Sequence, residues 1–346
     1  MFLTNYQIID LHLSFCCARS LRGMIELLPS GLAWQSTMIS IPGYSTKCPL
    51  ILYYQDPIEC IKFTMKNPLL SGHIQYQPRQ DFNSSSNHIY SNWITSDGTW
   101  DLQVSDPSLF HYELRFMMNV PEPTSTSCHS PQHDPVIGQN MNQCYDRQLT
   151  PYLSHPLLIT LANIDPAFWS LVSSHAFSLL ALFPVLKFVS VKKNLCGVLE
   201  NWLTHACLDF ITKPLKLASQ HGVSLSDCAG KTHYCFTTLV TYIVDTPEAT
   251  ALTGVAGKTS HLTMATYKEF GDPFWHPPRT ANSILKSLDI LAEEFDPSQI
   301  AVYTNNTRTM FHLNGVHLPF WRNWFMPGGT LPTGCIEEFL KAENLF

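Results

Sequence analysis

The sequence is short of charge, and shorter still of positive charge. Only 14% of its 346 residues are Asp, Glu, Lys or Arg, with 21 basic against 27 acidic residues and a net charge of −6. A protein that grips nucleic acid by neutralising phosphates ordinarily carries a basic excess somewhere. The richest basic stretch here is LKFVSVKKNL (186–195), so composition alone argues mildly against autonomous nucleic-acid binding. The 11 cysteines are odd in number, and no two have C-x-x-C spacing. That excludes a disulfide framework and suits reduced thiols in an intracellular compartment. Cys128, His129 and His133 in a polar loop, and Cys228, His233 and Cys235 around a turn, are zinc donors by type. Neither set supplies four well-spaced ligands, and ordinary buried or solvated residues are the alternative.

The N-terminal MFLTNYQIIDLHLSFCC lacks the basic start and continuous apolar core of a secretory signal. The one run near membrane-spanning length, AFWSLVSSHAFSLLALFPVLKFVSV (167–191), is broken by serines, His175, Pro184 and Lys187. Buried strands account for it, because central strands read as apolar runs, and no membrane partner is expected. No internal repeat is present. ALTGVAGKTS (251–260) ends like a phosphate-binding loop, but the glycine required five positions before Gly257 is Leu252. No nucleotide is expected there, and the segment reads as a strand-to-helix corner.

What is present is an alternation of elements interrupted once. Residues 1–118 mix short apolar runs with prolines and aromatics. Residues 119–154 are rich in Pro, Ser, Gln and Asn and read as a linker or aberrant segment. HPLLITLANID (155–165) is strand-like, and AFSLLALFPVLKFVSV supplies one or two strands more. Residues 197–222 carry apolar positions at helical spacing and end at Gly222, with Pro214 expected to kink or shorten the helix. KTHYCFTTLVTYIVD then reads as a strand ending at Asp245. Residues 261–346 hold one clear helix, NSILKSLDILAEEF, followed by aromatic loops and a short acidic helix. Strand, strand, helix, strand over 155–260 matches part of a ribonuclease-H-like core, in which three strands precede a helix and a fourth returns beside the first, an order shared with many α/β folds. There, carboxylates on the first and fourth strands meet, and two metals can act on a phosphodiester. The expected fold class is therefore α/β: a partial ribonuclease-H-like core, a mixed sheet with flanking helices, plus irregular N-terminal and C-terminal regions. Asp227 is expected to cap a hairpin turn, and Glu200 and Asp209 to be solvated or paired on the helix.

Several segments, in order, resemble the Plavaka group of fungal DNA transposases, related to the CACTA superfamily. They are YYQDPIECIKFTMKNPLLSGHIQYQP, IYSNWITSDGTWDLQ, HPLLITLANID, SSHAFSLLALFPVLKFV, GVLENWLTHACLDFITKPLK and FHLNGVHLPFWRNW. The most specific is YCFTTLVTYIVDTPEATALTGVAGKTSHLTMATYKEFGDPFWHPPRTA. The matching positions include Asp56, Glu59, Asp165, Asp245, Pro247, Glu248, Gly271, Asp272, His276 and Arg279. The resemblance implies DNA transposon ends as partner, Mg²⁺ or Mn²⁺ as cofactor, a nuclear location and a capacity for self-association. Asp245 is implied as a metal-binding catalytic carboxylate.

The departures from the family pattern shape the functional expectation. The family's Asp-Lys-Thr, its first catalytic carboxylate, falls on Met141, Asn142 and Gln143 in an ungapped count back from His155, with PVIG (135–138) as its strand. A gapped count puts Asp146 there instead, making Asp146 the second catalytic and metal candidate. The family pattern continues beyond LPFWRNW, whereas residues 325–346 follow no family pattern. The chain is thus expected to be a truncated or degenerate, inactive copy. Two alternatives stand beside this: an active two-metal transposase using Asp245, Asp146 and either Glu248 or Asp272, or a domesticated DNA- or protein-binding scaffold. For the scaffold, GDPFWHPPRT reads either as a docking loop anchored by Trp275 and Arg279, or as a proline corner that buries Phe274 and Trp275.

Overall fold

Threonines, aromatics and β-branched residues dominate THYCFTTLVTYI, and they form a strand of 12 residues. The computed structural model describes residues 31–76, 79–90, 93–95, 110–118, 154–169, 171–189 and 193–324. In chain order its strands are β1 (Gln35–Ile39), β2 (Leu50–Tyr54), β3 (Asp81–Phe82), β4 (His88–Ile89), β5 (Phe110–Met118), β6 (Ser154–Leu161), β7 (Ser178–Pro184), β8 (Val223–Ser226) and β9 (Thr232–Ile243). The helices are α1 (Pro57–Met65), α2 (Pro166–Trp169), α3 (Lys193–His221), α4 (Thr246–Thr253), α5 (Ala281–Glu294) and α6 (Ile300–Phe311).

Seven strands form one sheet in the order β1-β2-β7-β6-β5-β9-β8, and β3 pairs with β4 apart from it. Neighbouring strands are antiparallel except β5 and β9, which run parallel with Phe110 opposite Cys235 and Met117 opposite Ile243. The chain lays down β5, β6 and β7 side by side and passes through α3. It then returns as β9 on the far side of β5. This is a mixed α/β fold. Its central strands are buried on alternate positions, with Leu157, Ile159 and Leu161 of β6 all at or below 1% exposure. Each such side chain contributes roughly 1.5–3 kcal/mol of burial. Helix α1 packs on β6 and β7, α3 packs on β9 and β7, and the two helices touch each other.

The sheet corrects or completes several expectations. The strand between β6 and β9 is β5, residues 110–118; PVIG (135–138) lies outside the described residues. The one carboxylate residue of β5, Glu113, sits at the register of Thr238. Strands from residues 1–118 and from 155–260 share the same sheet. The apolar run 167–191 contains β7 in the middle of that sheet. Among the described residues, no helix is long and apolar enough to cross a membrane.

Pro214 does not shorten α3, which runs 29 residues through it. An interior proline removes a hydrogen bond and costs about 3 kcal/mol. Buried residues on both sides of it, Leu203, Cys207, Leu208 and Ile211 before and Leu215 and Ala218 after, offset that cost. Helix α6 was expected as loop, because IAVYTNNTRTMF is rich in weak helix formers. It forms because Ile300, Tyr303, Thr304 and Thr307 fall on one buried face. ALTGVAGKTS is not a strand-to-helix corner but the end of α4, where Gly254 at φ +81° closes the helix in the left-handed region.

Candidate functional site

Asp245 lies two residues beyond β9 and caps α4, its Oδ1 accepting from the Glu248 backbone N–H at 2.9 Å. Pro247 occupies the first turn, where a missing N–H is tolerated. Glu248, three residues after the cap, is half-buried beside a cavity of about 270 Å³. His155 at the start of β6 and Glu200, Thr204 and Cys207 of α3 line the same cavity. Burial first, and the charge of Asp245 second, push Glu248 up to about 7. Burial also raises Glu200 above the usual carboxylate value and lowers His155 below the usual imidazole value. The cavity therefore favours neutral side chains.

The other end of α4 is held by residues far away in sequence. The Ala251 carbonyl accepts from Asn314 Nδ2 at 3.1 Å and from His205 Nε2 at 3.2 Å. Trp321 Nε1 donates to the Leu252 carbonyl at 3.0 Å, and Asn314 N to the Gly254 carbonyl at 2.9 Å. His205 Nδ1 accepts from Phe320 N at 3.1 Å. With Nδ1 accepting, the ring proton resides on Nε2 and points at Ala251, and burial lowers the His205 pKa to about 4. Trp202 Nε1 donates to the Gly315 carbonyl, and Trp324, fully buried, donates to Thr237 of β9. The loop 312–324 is thus a clamp over α4, satisfying carbonyls that a helix terminus would otherwise leave open.

The remaining family positions occupy separate elements. Asp56 caps α1, accepting from Ile58 N at 2.8 Å and Glu59 N at 3.4 Å, and Glu59 pairs with Lys62 at 2.6 Å. Asp165 caps α2, its Oδ1 accepting from Ala167 N at 3.0 Å. In the loop after α4, Gly271 takes φ +93°, and Asp272 Oδ2 lies 3.2 Å from His276 Nε2. Arg279 is buried, its Nε donating to the Ser260 and Thr263 carbonyls. Burial also lowers its pKa. Asp146 and Met141 lie outside the described residues, as do Cys128, His129 and His133. The structure brings Asp245, Pro247 and Glu248 into one turn and leaves Asp56, Glu59, Asp165 and Asp272 on other elements.

Two neighbours of the site carry no motif in the sequence: His155 and His205. Glu200 is exposed on α3, as expected, and its side chain also borders the cavity, where partial burial raises its pKa. Asp209 is paired, with Lys216 at 2.5 Å. Asp227 caps its hairpin as expected, accepting from Ala229 N and Lys231 N, and His233 Nε2 lies 3.1 Å from its second oxygen. Among the described residues, no group of three or more His, Cys, Asp or Glu is placed to hold a metal ion. The two readings of GDPFWHPPRT are each half corrected. Phe274 and Trp275 are exposed and not buried in a proline corner, and Arg279 is a buried pin and not a docking anchor.

A mixed sheet with flanking helices, its strand β9 followed two residues on by the aspartate that caps α4, makes this a mixed α/β protein. The family model for Plavaka transposase matches residues 15–114 and 152–327. The chain belongs to the Plavaka transposase family. No curated protein and no solved structure matches it.

Proposed function

We propose that this protein is a DNA-binding, nuclear member of the Plavaka transposase family, built on a partial ribonuclease-H-like core and without a complete two-metal catalytic centre. The strand arrangement supports the fold. β5, β6 and β7 are antiparallel neighbours, α3 follows, and β9 returns parallel to β5 and leads into Asp245. The family supports DNA ends as partner and Mg²⁺ or Mn²⁺ as the ion a complete centre would use.

The observation that carries the missing centre is the chemistry of the α4 turn. Mg²⁺ wants several hard, charged oxygen ligands in near-octahedral array. Asp245 spends Oδ1 on its cap, and Glu248 beside it keeps its proton up to about pH 7. Among the described residues, no group of three or more His, Cys, Asp or Glu is placed to hold a metal ion. This donor set does not fit a two-metal site.

The test is calorimetry of Mg²⁺ and Mn²⁺ with the full chain and with Asp245→Ala, alongside incubation with terminal-repeat DNA. The expected result is DNA binding with no Asp245-dependent metal uptake and no cutting or joining. Metal binding that vanishes in Asp245→Ala, together with cleavage or strand joining, would overturn the proposal. It would point to Asp245, Asp146 and one of Glu248 or Asp272 as ligands.

A further inference from the structure

The segment after α4 is a closed loop carrying an exposed aromatic tip. Its base is stitched by Ser260 N to the Ala265 carbonyl, Tyr267 N to Lys258, Met264 N to Pro277 and Arg279 N to Leu262, all between 2.8 and 2.9 Å. Isolated bridges pair Thr259 with Thr266 and Thr263 with Pro278, and the buried Arg279 guanidinium pins two carbonyls from inside. On this braced frame Trp275 is 89% exposed, Phe274 63%, and Phe270 and Tyr267 56% each. Folding ordinarily covers side chains of this size, and four of them left exposed on one hydrogen-bonded loop mark a contact surface.

The charges of the loop indicate what kind of contact. Both of its acids are spent internally: Glu269 accepts from the Thr266 N–H and hydroxyl, and Asp272 pairs with His276. Both exposed lysines remain available, and neither Lys258 nor Lys268 forms an ion pair with a carboxylate among the described residues. Lys258 Nζ stands 5.6 Å from the Tyr267 ring centroid. Aromatic faces interleaved with free cations suit an anionic, stackable ligand, namely unpaired nucleotides. A duplex conceals its base faces, and an apolar protein partner gives the lysines nothing to pair with.

We infer that loop 258–279 is a stacking platform for unpaired DNA bases, with Trp275 and Phe274 as the stacking rings and Lys258 and Lys268 as phosphate contacts. The inference rests on the DNA-binding reading above and deepens it, because it names the form of DNA and the surface that takes it. The lysines contribute a local positive edge that the net charge of −6 conceals.

The experiment is fluorescence anisotropy of the full chain with a labelled single strand of about 20 nucleotides and with the matching duplex, for wild type, Trp275→Ala, and Lys258→Ala with Lys268→Ala. Trp275→Ala should weaken single-strand binding about tenfold and leave duplex binding within about twofold. The lysine pair should weaken single-strand binding and lower its salt dependence by about one unit of slope. Trp275 is exposed, so its loss does not threaten the fold. Unchanged single-strand affinity in Trp275→Ala, with wild type still binding duplex, would overturn the platform and leave the DNA reading standing. Absence of binding to either DNA form would overturn both. A Trp275-dependent dimer in sedimentation, with no change in DNA affinity, would reassign the surface to a second copy of the chain.

Discussion

Helices α1 and α4 open with the same local chemistry and end in different electrostatic states. Asp56-Pro57-Ile58-Glu59 and Asp245-Thr246-Pro247-Glu248 each place an aspartate at the cap, a proline in the first turn and a glutamate three residues on. In both, the cap oxygen accepts the backbone N–H of that glutamate. At α1 the glutamate is half-exposed and bridged by Lys62. At α4 the positions three and four residues beyond the glutamate are Ala251 and Leu252, and the side chain faces a cavity instead. The result is a carboxyl held protonated up to about pH 7. A capping pattern therefore specifies a helix start and says nothing about the acidity of the residues in it.

The strongest way to break the comparison is to remove the support that only α4 has. His205→Ala leaves the Phe320 N–H without its acceptor and empties a fully packed position, at an expected cost of about 3 kcal/mol in urea denaturation. His205 also carries a pH signature. Its folded pKa of about 4 lies below the unfolded value near 6.5, so its contribution is present above pH 6.5 and lost as pH falls towards 4. That share is on the order of 3 kcal/mol, and the stability slope between pH 6.5 and 4 should flatten in His205→Ala. An unchanged slope would mean that the clamp does not hold this histidine neutral.

Smaller effects sharpen the comparison. Asp56→Ala and Asp245→Ala each remove one cap and should each cost about 1 kcal/mol. They should differ in one respect: only Asp245→Ala should lower the pKa of Glu248, by removing a neighbouring negative charge, as side-chain carboxyl NMR titration would show. Equal behaviour of the two variants in that titration would erase the distinction between the helices.

Glu248→Gln is expected to give the smallest change. The Glu248 pKa is raised on folding, so its contribution is present below pH 4.5 and lost as pH rises through about 7. The glutamine variant should therefore gain on wild type towards pH 8, by roughly 1 kcal/mol or less once solvent screening of a half-exposed group is allowed for. Thermal melts at pH 5 and pH 8 measure the difference directly.

Much of the fold was legible in the residues. The threonine-rich run at 232–243 and the apolar alternation at 155–161 read as strands, and Asp227 read as a turn cap, because each depends on neighbours a few positions away. Helix α6 was not legible. Its threonines and asparagines are poor helix formers, and only the buried face formed by Ile300, Tyr303, Thr304 and Thr307 makes the helix the better state. The placement of β5 between β6 and β9 was not legible either, since pairing across a long intervening segment leaves no local trace. Glu200 is an exposed acid on α3, and only the tertiary structure sets it at the border of the cavity that holds Glu248.

The sequence by itself determined the family and the turn cap at Asp227. These follow from ordered motifs and from hydrogen bonds spanning two to four residues. Only the tertiary structure decided that Glu248 and Glu200 share a cavity, that His205 is a neutral pin between α4 and Phe320, that Arg279 is buried and that Trp275 is bare. Each of these is a matter of solvent access and of partners 16 to 115 residues away. Desolvation and long-range contact have no signature in a local stretch of chain.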